Sequence, residues 1–471
     1  MKELMLLSED KILNLNQSYE FKVSVEDEDK KFAGRLILSP DKCTLRVMGE
    51  REPSMDFFLS KEIKCNSFNR YFWLFDLSEV YWGSQCLRST VDENIGFFEC
   101  EFEIGFIVSS ETYYPSDCTV LGFSIDSSMI GKWVGMTKTQ NNLVEKYHKK
   151  TLKPMTDDTT EVIQPINGYG ALILYYHLET HYNPKGFSSG LNFPPRLNIV
   201  FESYIPLNKL SYEIHKLYDL MTLYVGSDFD METIEISTSQ IGFSVKTSAY
   251  YPRTNRTYEM DYPVYPLGHD LQFNDLPIPA LSLDSVNQYF NLSEGDRVSF
   301  SKYLRYKRMK SDEERFLGYF RILERLTNKK GTYVEQGSLD NLLDRSEGYL
   351  RKKLNGKKKD VKNLIGRIKK MNGAKYNTDK CIGDFYDCLT PELKGGLLYD
   401  KQSIQKICKL RNDITHANDY VVSNSDLSKY SSFIEVLLYL ALLNKIGIHP
   451  EVSSSLAHRL NRFHFVQKFD G

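Results

Sequence analysis

At 471 residues the chain is too long for one ordinary hydrophobic core and long enough for about two or three domains. Its 41% hydrophobic and 26% charged residues exclude a disordered or fibrous chain, and the net charge of −2 excludes one that is basic throughout. The eight cysteines form no CxxC pair and no Cys/His cluster with zinc-finger spacing, so they read as buried thiols of a reducing cytoplasm. The N-terminal MKELMLLSEDKILNLNQ soon turns polar and does not read as a signal peptide. The longest apolar run, Phe433–Leu443, is too short to cross a bilayer. A cytoplasmic protein with no membrane contact is expected.

Up to about Leu281 the chain reads as β-rich. Tyr19–Val25, Lys31–Ser39, Cys43–Gly49 and Phe97–Ser109 alternate or run apolar, with turn residues such as Ser39-Pro40-Asp41 between them. Gly170–Tyr182, Arg196–Ser203, Met231–Thr238 and Gly242–Tyr251 continue the pattern. One helix interrupts it: Pro206–Gly226 places Leu210, Ile214, Leu217, Leu220 and Leu223 at three- and four-residue steps, and Gly226 follows as a C-cap. The expected N-terminal region, 1–280, is sandwich-like, with a break into two sub-domains near Thr151–Glu161.

Beyond the proline-bearing junction Asn274–Gln288, residues 281–471 read as helical. Ser311–Thr327 has a cap serine, acids in its first turn, and Phe316, Phe320, Leu323 and Leu326 on one face. Further helices are expected around Leu339–Leu354, Val361–Met371, Cys381–Cys388, Leu427–Ile448 and Ser455–Phe465. The fold class is therefore α+β multidomain, a β-rich region followed by an all-α bundle. Charge is uneven in this half. Lys352, Lys353, Lys357, Lys358, Lys359, Lys369 and Lys370 crowd one segment, and Lys409 lies further on. They read either as a solvated helix face or as a surface that tracks phosphates.

Several chemistries lack their motifs. There is no GxxxxGK[ST] and no GxGxxG after a strand, so nothing supports a nucleotide cofactor. His177-Leu178-Glu179-Thr180-His181 departs from HExxH and lies in a strand pattern. Its alternate residues would share a face, which allows a metallohydrolase site geometrically, but a polar sheet face fits better. No metal and no cofactor are expected.

The remaining constellation is Arg411-Asn412-Asp413-Ile414-Thr415-His416. On a helix Arg411 and His416 are roughly 140° apart, while Asn412 and His416 are neighbours on one face. Asn412 is placed to orient the imidazole by a hydrogen bond. RNA cleavage without a metal needs a base for the 2′-OH proton and a cation for the charge growing on the phosphorane oxygens. Histidine suits the first role and arginine's planar fork the second. Because the nucleophile belongs to the substrate, no protein nucleophile is needed. Two copies facing each other across a dimer would complete so small a site.

These residues resemble a known family. LRNDITH looks like the Rx4–6H signature of HEPN ribonuclease domains, and ERFLGYFRILERL (Glu314–Leu326) is similar to the early helix of the ApeA-like HEPN group. A β-rich region before a C-terminal HEPN bundle resembles the ApeA-type anti-phage abortive-infection proteins. Ile205–Gly226 resembles that family's N-terminal helix. The resemblance implies a metal-independent endoribonuclease with Arg411 and His416 catalytic and Asn412 as polar companion. It also implies homodimers sharing an active site and growth arrest after infection. RNA is the implied partner, with tRNA the first candidate, alongside a phage-derived trigger acting through the N-terminal region. Products would carry 2′,3′-cyclic phosphate and 5′-hydroxyl ends. Some HEPN toxins carry a modified Tyr two residues after the histidine. Here that position is Asn418, and the nearest tyrosine is Tyr420. Glu324 reads either as a solvated partner of Arg325 or as a support for the Arg411–His416 site. The alternative function is a non-catalytic HEPN dimerisation or nucleic-acid-binding unit, joined to a sandwich that binds a ligand or peptide.

Overall fold

The computed structural model describes residues 12–27, 30–51, 62–87, 95–112, 118–151, 157–183, 188–239, 246–253, 256–257, 262–267, 278–329, 333–372, 377–416 and 418–468. The chain divides into two compact units, Met1–Ser293 and Glu294–Gly471.

The first unit begins with strands β1 (Tyr19–Asp27), β2 (Lys30–Leu38), β3 (Thr44–Arg51), β4 (Ile63–Ser67), β5 (Arg70–Leu87), β6 (Ile95–Ser110) and β7 (Thr119–Asp126). Helices α1 (Ser128–Val134) and α2 (Lys138–His148) follow, then β8 (Thr160–Ile166), β9 (Gly170–Tyr176), β10 (Glu179–Asn183), β11 (Ser188–Asn192) and β12 (Pro195–Pro206). Helix α3 (Leu210–Val225), β13 (Thr233–Thr238), β14 (Thr247–Tyr250) and α4 (Asp284–Phe290) complete it. Apart from the β10–β11 hairpin, the strands of the described residues form one twelve-stranded sheet, ordered β3-β2-β1-β4-β5-β6-β14-β13-β7-β12-β9-β8.

This sheet is not the expected sandwich. β3 also pairs with β6, from Thr44 opposite Glu103 to Arg51 opposite Gly96, and that pairing closes β1 to β6 into a barrel. Every other residue of each strand then points into one closed interior: Val23, Val25, Leu36, Leu45, Val47, Cys65, Phe72, Leu74, Phe98 and Cys100 are all buried there. Alternation marks the buried face of each strand, but it carries no signal for which strand meets which. The decisive pair is separated in the chain by two other strands. β6 is long enough to serve twice, since Ile107–Ser110 pairs with β14 and so continues the sheet beyond the barrel.

The region expected to divide the unit near Thr151–Glu161 lies partly outside the described residues, and β8 and β9 beyond it belong to the same sheet. Helix α2 escaped the sequence reading because its residues are polar and Leu143 is the residue it buries. The expected strand Gly170–Tyr182 is broken at His177 and Leu178 into β9 and β10. Helix α4, placed with the helical region on sequence grounds, packs in the first unit. Ser285 meets the Tyr224 hydroxyl at 2.7 Å, and the Phe290 ring lies 4.8 Å from that of Tyr169.

Helix α3 buries the Leu210, Ile214, Leu217, Leu220 and Leu223 stripe and ends at Gly226, whose φ is 83°. That left-handed conformation favours glycine, and a Cβ there would meet Val264 Cγ2 at 2.2 Å. Nearby, buried Arg253 ties the start of the chain to the sheet. Its guanidinium donates to Asp230 at 2.7 Å, to the Met231 carbonyl at 2.9 Å and to the Leu15 carbonyl at 2.8 Å.

The second unit is all-α, as its periodicities imply. It comprises α5 (Glu294–Lys307), α6 (Asp312–Thr327), α7 (Gln336–Lys353), α8 (Lys358–Asn372), α9 (Thr378–Asp387), α10 (Pro391–Gly396), α11 (Lys401–Thr415), α12 (Asn424–Lys445) and α13 (Pro450–Ser453). Two 3-10 turns follow where a last helix was expected, at Ser454–Arg459 and Phe463–Phe465. Ser431 to Leu443 of α12 are buried without interruption, so this helix, buried on every side, is the core of the unit. Helix α6 lays Phe316, Phe320 and Leu323 inward, and its N-cap Ser311 accepts from Glu314 N at 3.3 Å. A carboxylate is also buried inside: Glu435 accepts from the Tyr303 hydroxyl at 3.2 Å. Burial, reinforced by that carboxylate, holds the Tyr303 and Tyr319 phenols well above the usual range.

Gly226→Ala should lower the stability of the chain by at least about 1–2 kcal/mol, the cost of a Cβ in the left-handed region. The urea midpoint measures this, and an unchanged midpoint would contradict the cap.

Candidate active site

Helix α11 starts at a capping box in which Asp400 accepts from Ser403 N at 2.9 Å. Its inward stripe is Ile404, Ile407 and the half-buried Cys408, and the next position on that stripe is Arg411. A cation at the end of an apolar stripe must find an anion or leave the interior. Arg411 finds Glu324, on α6. Their side chains are 22% and 17% exposed, so the ion pair is largely shielded from water. Arg411 Nη1 also donates to Asn412 Oδ1 at 2.9 Å, and its Cζ stands 5.1 Å from the centre of the Phe320 ring. Glu324 Oε1 in turn accepts from the Thr378 hydroxyl, at the start of α9, at 2.9 Å. Burial pushes the neighbouring Cys408 thiol up to about 12; Asp379 and Glu324 add to the rise and Arg411 opposes it.

His416 is the C-cap of α11, one residue past its last helical turn, with φ −96° and ψ 8°. Its backbone N–H donates to the Asn412 carbonyl at 2.9 Å, and its side chain is exposed. The loop beyond is pinned at two points. Asp413 accepts from the Asn418 backbone at 2.9 Å and side chain at 3.2 Å, and the Tyr420 hydroxyl donates to Glu313 Oε2 at 3.0 Å. That bond raises the Tyr420 phenol above its ordinary value.

The structure brings Arg411, Asn412 and Glu324 together, with His416 at the open end of the same helix. It departs from the expected geometry in one respect. The Asn412 side-chain oxygen is engaged by the guanidinium, a charged donor. Among the described residues no hydrogen bond joins the Asn412 side chain to the His416 ring. Glu324 is not the solvated partner of Arg325, which instead donates to the Gly295 carbonyl at 2.6 Å. Phe320 was read from sequence only as a core residue, and Thr378 was not singled out: a hydroxyl at the start of a helix looks like an ordinary cap.

Helices α7 and α8 hold most of the basic segment. Lys352, Lys353, Lys357, Lys358, Lys359 and Lys370 are exposed. Lys369 differs, for it bridges to Asp344 at 2.8 Å and Asp340 at 3.8 Å, and the Asp344 hydrogen bond raises its pKa. Buried Asn372 closes the base of this hairpin, bonding the Val334 backbone at 3.1 and 2.9 Å and Gln336 at 2.8 Å. Lys409 is exposed seven residues before His416, on the same side of α11. In the first unit, Glu179 lies 3.7 Å from Arg196, and the His181 side chain is outside the described residues. Burial lowers the His177 pKa. No group of three metal-ligating side chains occurs among the described residues.

The family model for ApeA N-terminal domain 1 matches residues 18–280, and that for the Apea-like HEPN domain matches residues 317–452. The chain belongs to the ApeA-type proteins with a C-terminal HEPN domain. The HEPN match contains Glu324, Thr378, Arg411, Asn412 and His416. The chain is thus a HEPN-containing anti-phage defence protein, and its helical unit carries a domain of nuclease type. No curated protein and no solved structure matches it. No helix among the described residues is long and apolar enough to cross a membrane.

Removing the carboxylate leaves the half-buried guanidinium without its anion. Glu324→Ala should cost about 1–3 kcal/mol in chemical denaturation. Arg321→Ala, on the exposed side of the same helix, should stay within about 0.5 kcal/mol.

Proposed function

We propose that the HEPN domain is a metal-independent endoribonuclease that cuts cellular RNA, with tRNA the first candidate, in anti-phage abortive infection. The observation that carries this reading is the arrangement at the end of α11. A guanidinium gripped by Glu324, Asn412 and Phe320 lies five residues before an exposed histidine. His416 takes the proton from the 2′-OH as that oxygen attacks the adjacent phosphorus, and a proton returns to the departing 5′ oxygen. Arg411 meets the charge that grows on the non-bridging oxygens. The 2′ oxygen becomes bonded to phosphorus and the 5′ oxygen leaves, so the ends are a 2′,3′-cyclic phosphate and a 5′-hydroxyl.

One arginine and one histidine make a small centre, and a second HEPN copy would supply the complementary pair across a dimer. The exposed lysines of α7, α8 and Lys409 would hold the RNA backbone. Lys369, already occupied by Asp344 and Asp340, contributes least. The N-terminal unit is the candidate restraint, released by a phage-derived trigger in the cytoplasm.

His416→Ala should abolish cleavage and growth arrest while the folded stability stays within about 0.5 kcal/mol, because its side chain is exposed. End-mapped RNA from induced cells checks this. Cutting by the variant in divalent-free buffer would remove His416 from the site. Replacing Lys357, Lys358 and Lys359 by Glu should weaken RNA binding and lower the slope of log K against log salt by about 1 for each lost phosphate contact. Lys369→Ala should have a smaller effect on that slope.

A further inference from the structure

Arg411 is held by groups that are themselves held. Phe320 and Glu324 are four residues apart on α6, so they stack on one face and take the guanidinium by its plane and by its edge. Phe320 is fixed by burial in the core. Glu324 has a side chain with several rotatable bonds to lose, and its carboxylate is where it meets both neighbours. Of its two oxygens, Oε2 meets Arg411 and Oε1 meets the Thr378 hydroxyl at 2.9 Å. Thr378 is the first residue of α9, and the residue before it, Asn377, makes no side-chain cap. The hydroxyl at this helix start therefore points its proton away from its own helix, toward α6.

We infer that Thr378 is a positioning residue of the nuclease centre: it fixes Glu324, and Glu324 fixes Arg411. The inference rests on the ribonuclease reading of Arg411 and His416. A donor that stabilises a phosphorane must already be aimed at the place where the charge develops, and a small misplacement costs rate more than binding. RNA is held mainly by many phosphate contacts elsewhere, so Thr378 acts on kcat rather than on KM.

The test uses the full-length chain on total cellular RNA, counting new 5′-hydroxyl ends over a range of RNA concentrations. Thr378→Val, which keeps shape and removes the hydroxyl, should lower kcat about tenfold with KM changed by less than about twofold. Thr378→Ser should restore the rate. Glu324→Ala should lose at least as much, and adding Thr378→Val to it should cost nothing further, because both act through one contact. A Thr378→Val enzyme with the wild-type kcat overturns the inference, as do losses from the two substitutions that multiply. Should Thr378→Val not fold, Thr378→Ala in the same cycle gives the same discrimination. The underlying reading fails separately, and takes this inference with it, if Arg411→Ala and His416→Ala release 5′-hydroxyl ends as fast as the wild type.

Discussion

The helical unit is organised around a positive charge that its own helix pattern directs inward. Ile404, Ile407 and Cys408 commit one face of α11 to the interior, and Arg411 continues that face. A guanidinium cannot shed its charge, so the surroundings must answer it. Glu324 answers from α6, Phe320 offers a ring face, and Thr378 brings in the start of α9. Three helices that are not consecutive in the chain are thus joined at one side chain. The same side chain is the best candidate for meeting a phosphate, which requires it to be held still and partly exposed at once.

That double demand is met by dividing the donors. Glu324 takes one edge of the guanidinium and Asn412 takes Nη1, from the solvent side. A guanidinium has five N–H donors, so such a grip does not exhaust it. His416 has the opposite surroundings. It stands past the end of the helix, exposed, on a backbone fixed by its N–H bond to Asn412 and by a loop tied down through Asp413 and Tyr420. The cation is fixed through its side chain, and the histidine through its main chain.

This contrast explains what could be read from the amino acids. The helix starts at Ser311 and the left-handed stop at Gly226 depend on neighbours within a few residues, and they were legible. So was the apolar core helix, whose pattern lies wholly within α12. The Arg411–His416 spacing was visible as a pattern, and its family resemblance sharpened it. What sequence could not show are meetings between distant segments. The β3–β6 pairing turns an expected sandwich into a barrel, and α4 docks with the sheet that precedes it. The contact of Thr378 with Glu324 is of the same kind, whereas Glu324 as a support for Arg411 was one of two readings the sequence allowed.

The surroundings of Asn412 show the limit within a single helix. Four-residue spacing correctly makes Asn412 and His416 neighbours, but spacing does not rank competing donors. Arg411, adjacent in sequence, presents a charged N–H to the same oxygen, and a charge-assisted bond is roughly twice as strong as a neutral one. His416 itself is the C-cap, held to Asn412 through its backbone N–H. Asn412 thereby belongs with the arginine. It closes the solvent side of a grip whose inner side is Glu324, and it leaves the imidazole open to whatever binds at the end of the helix.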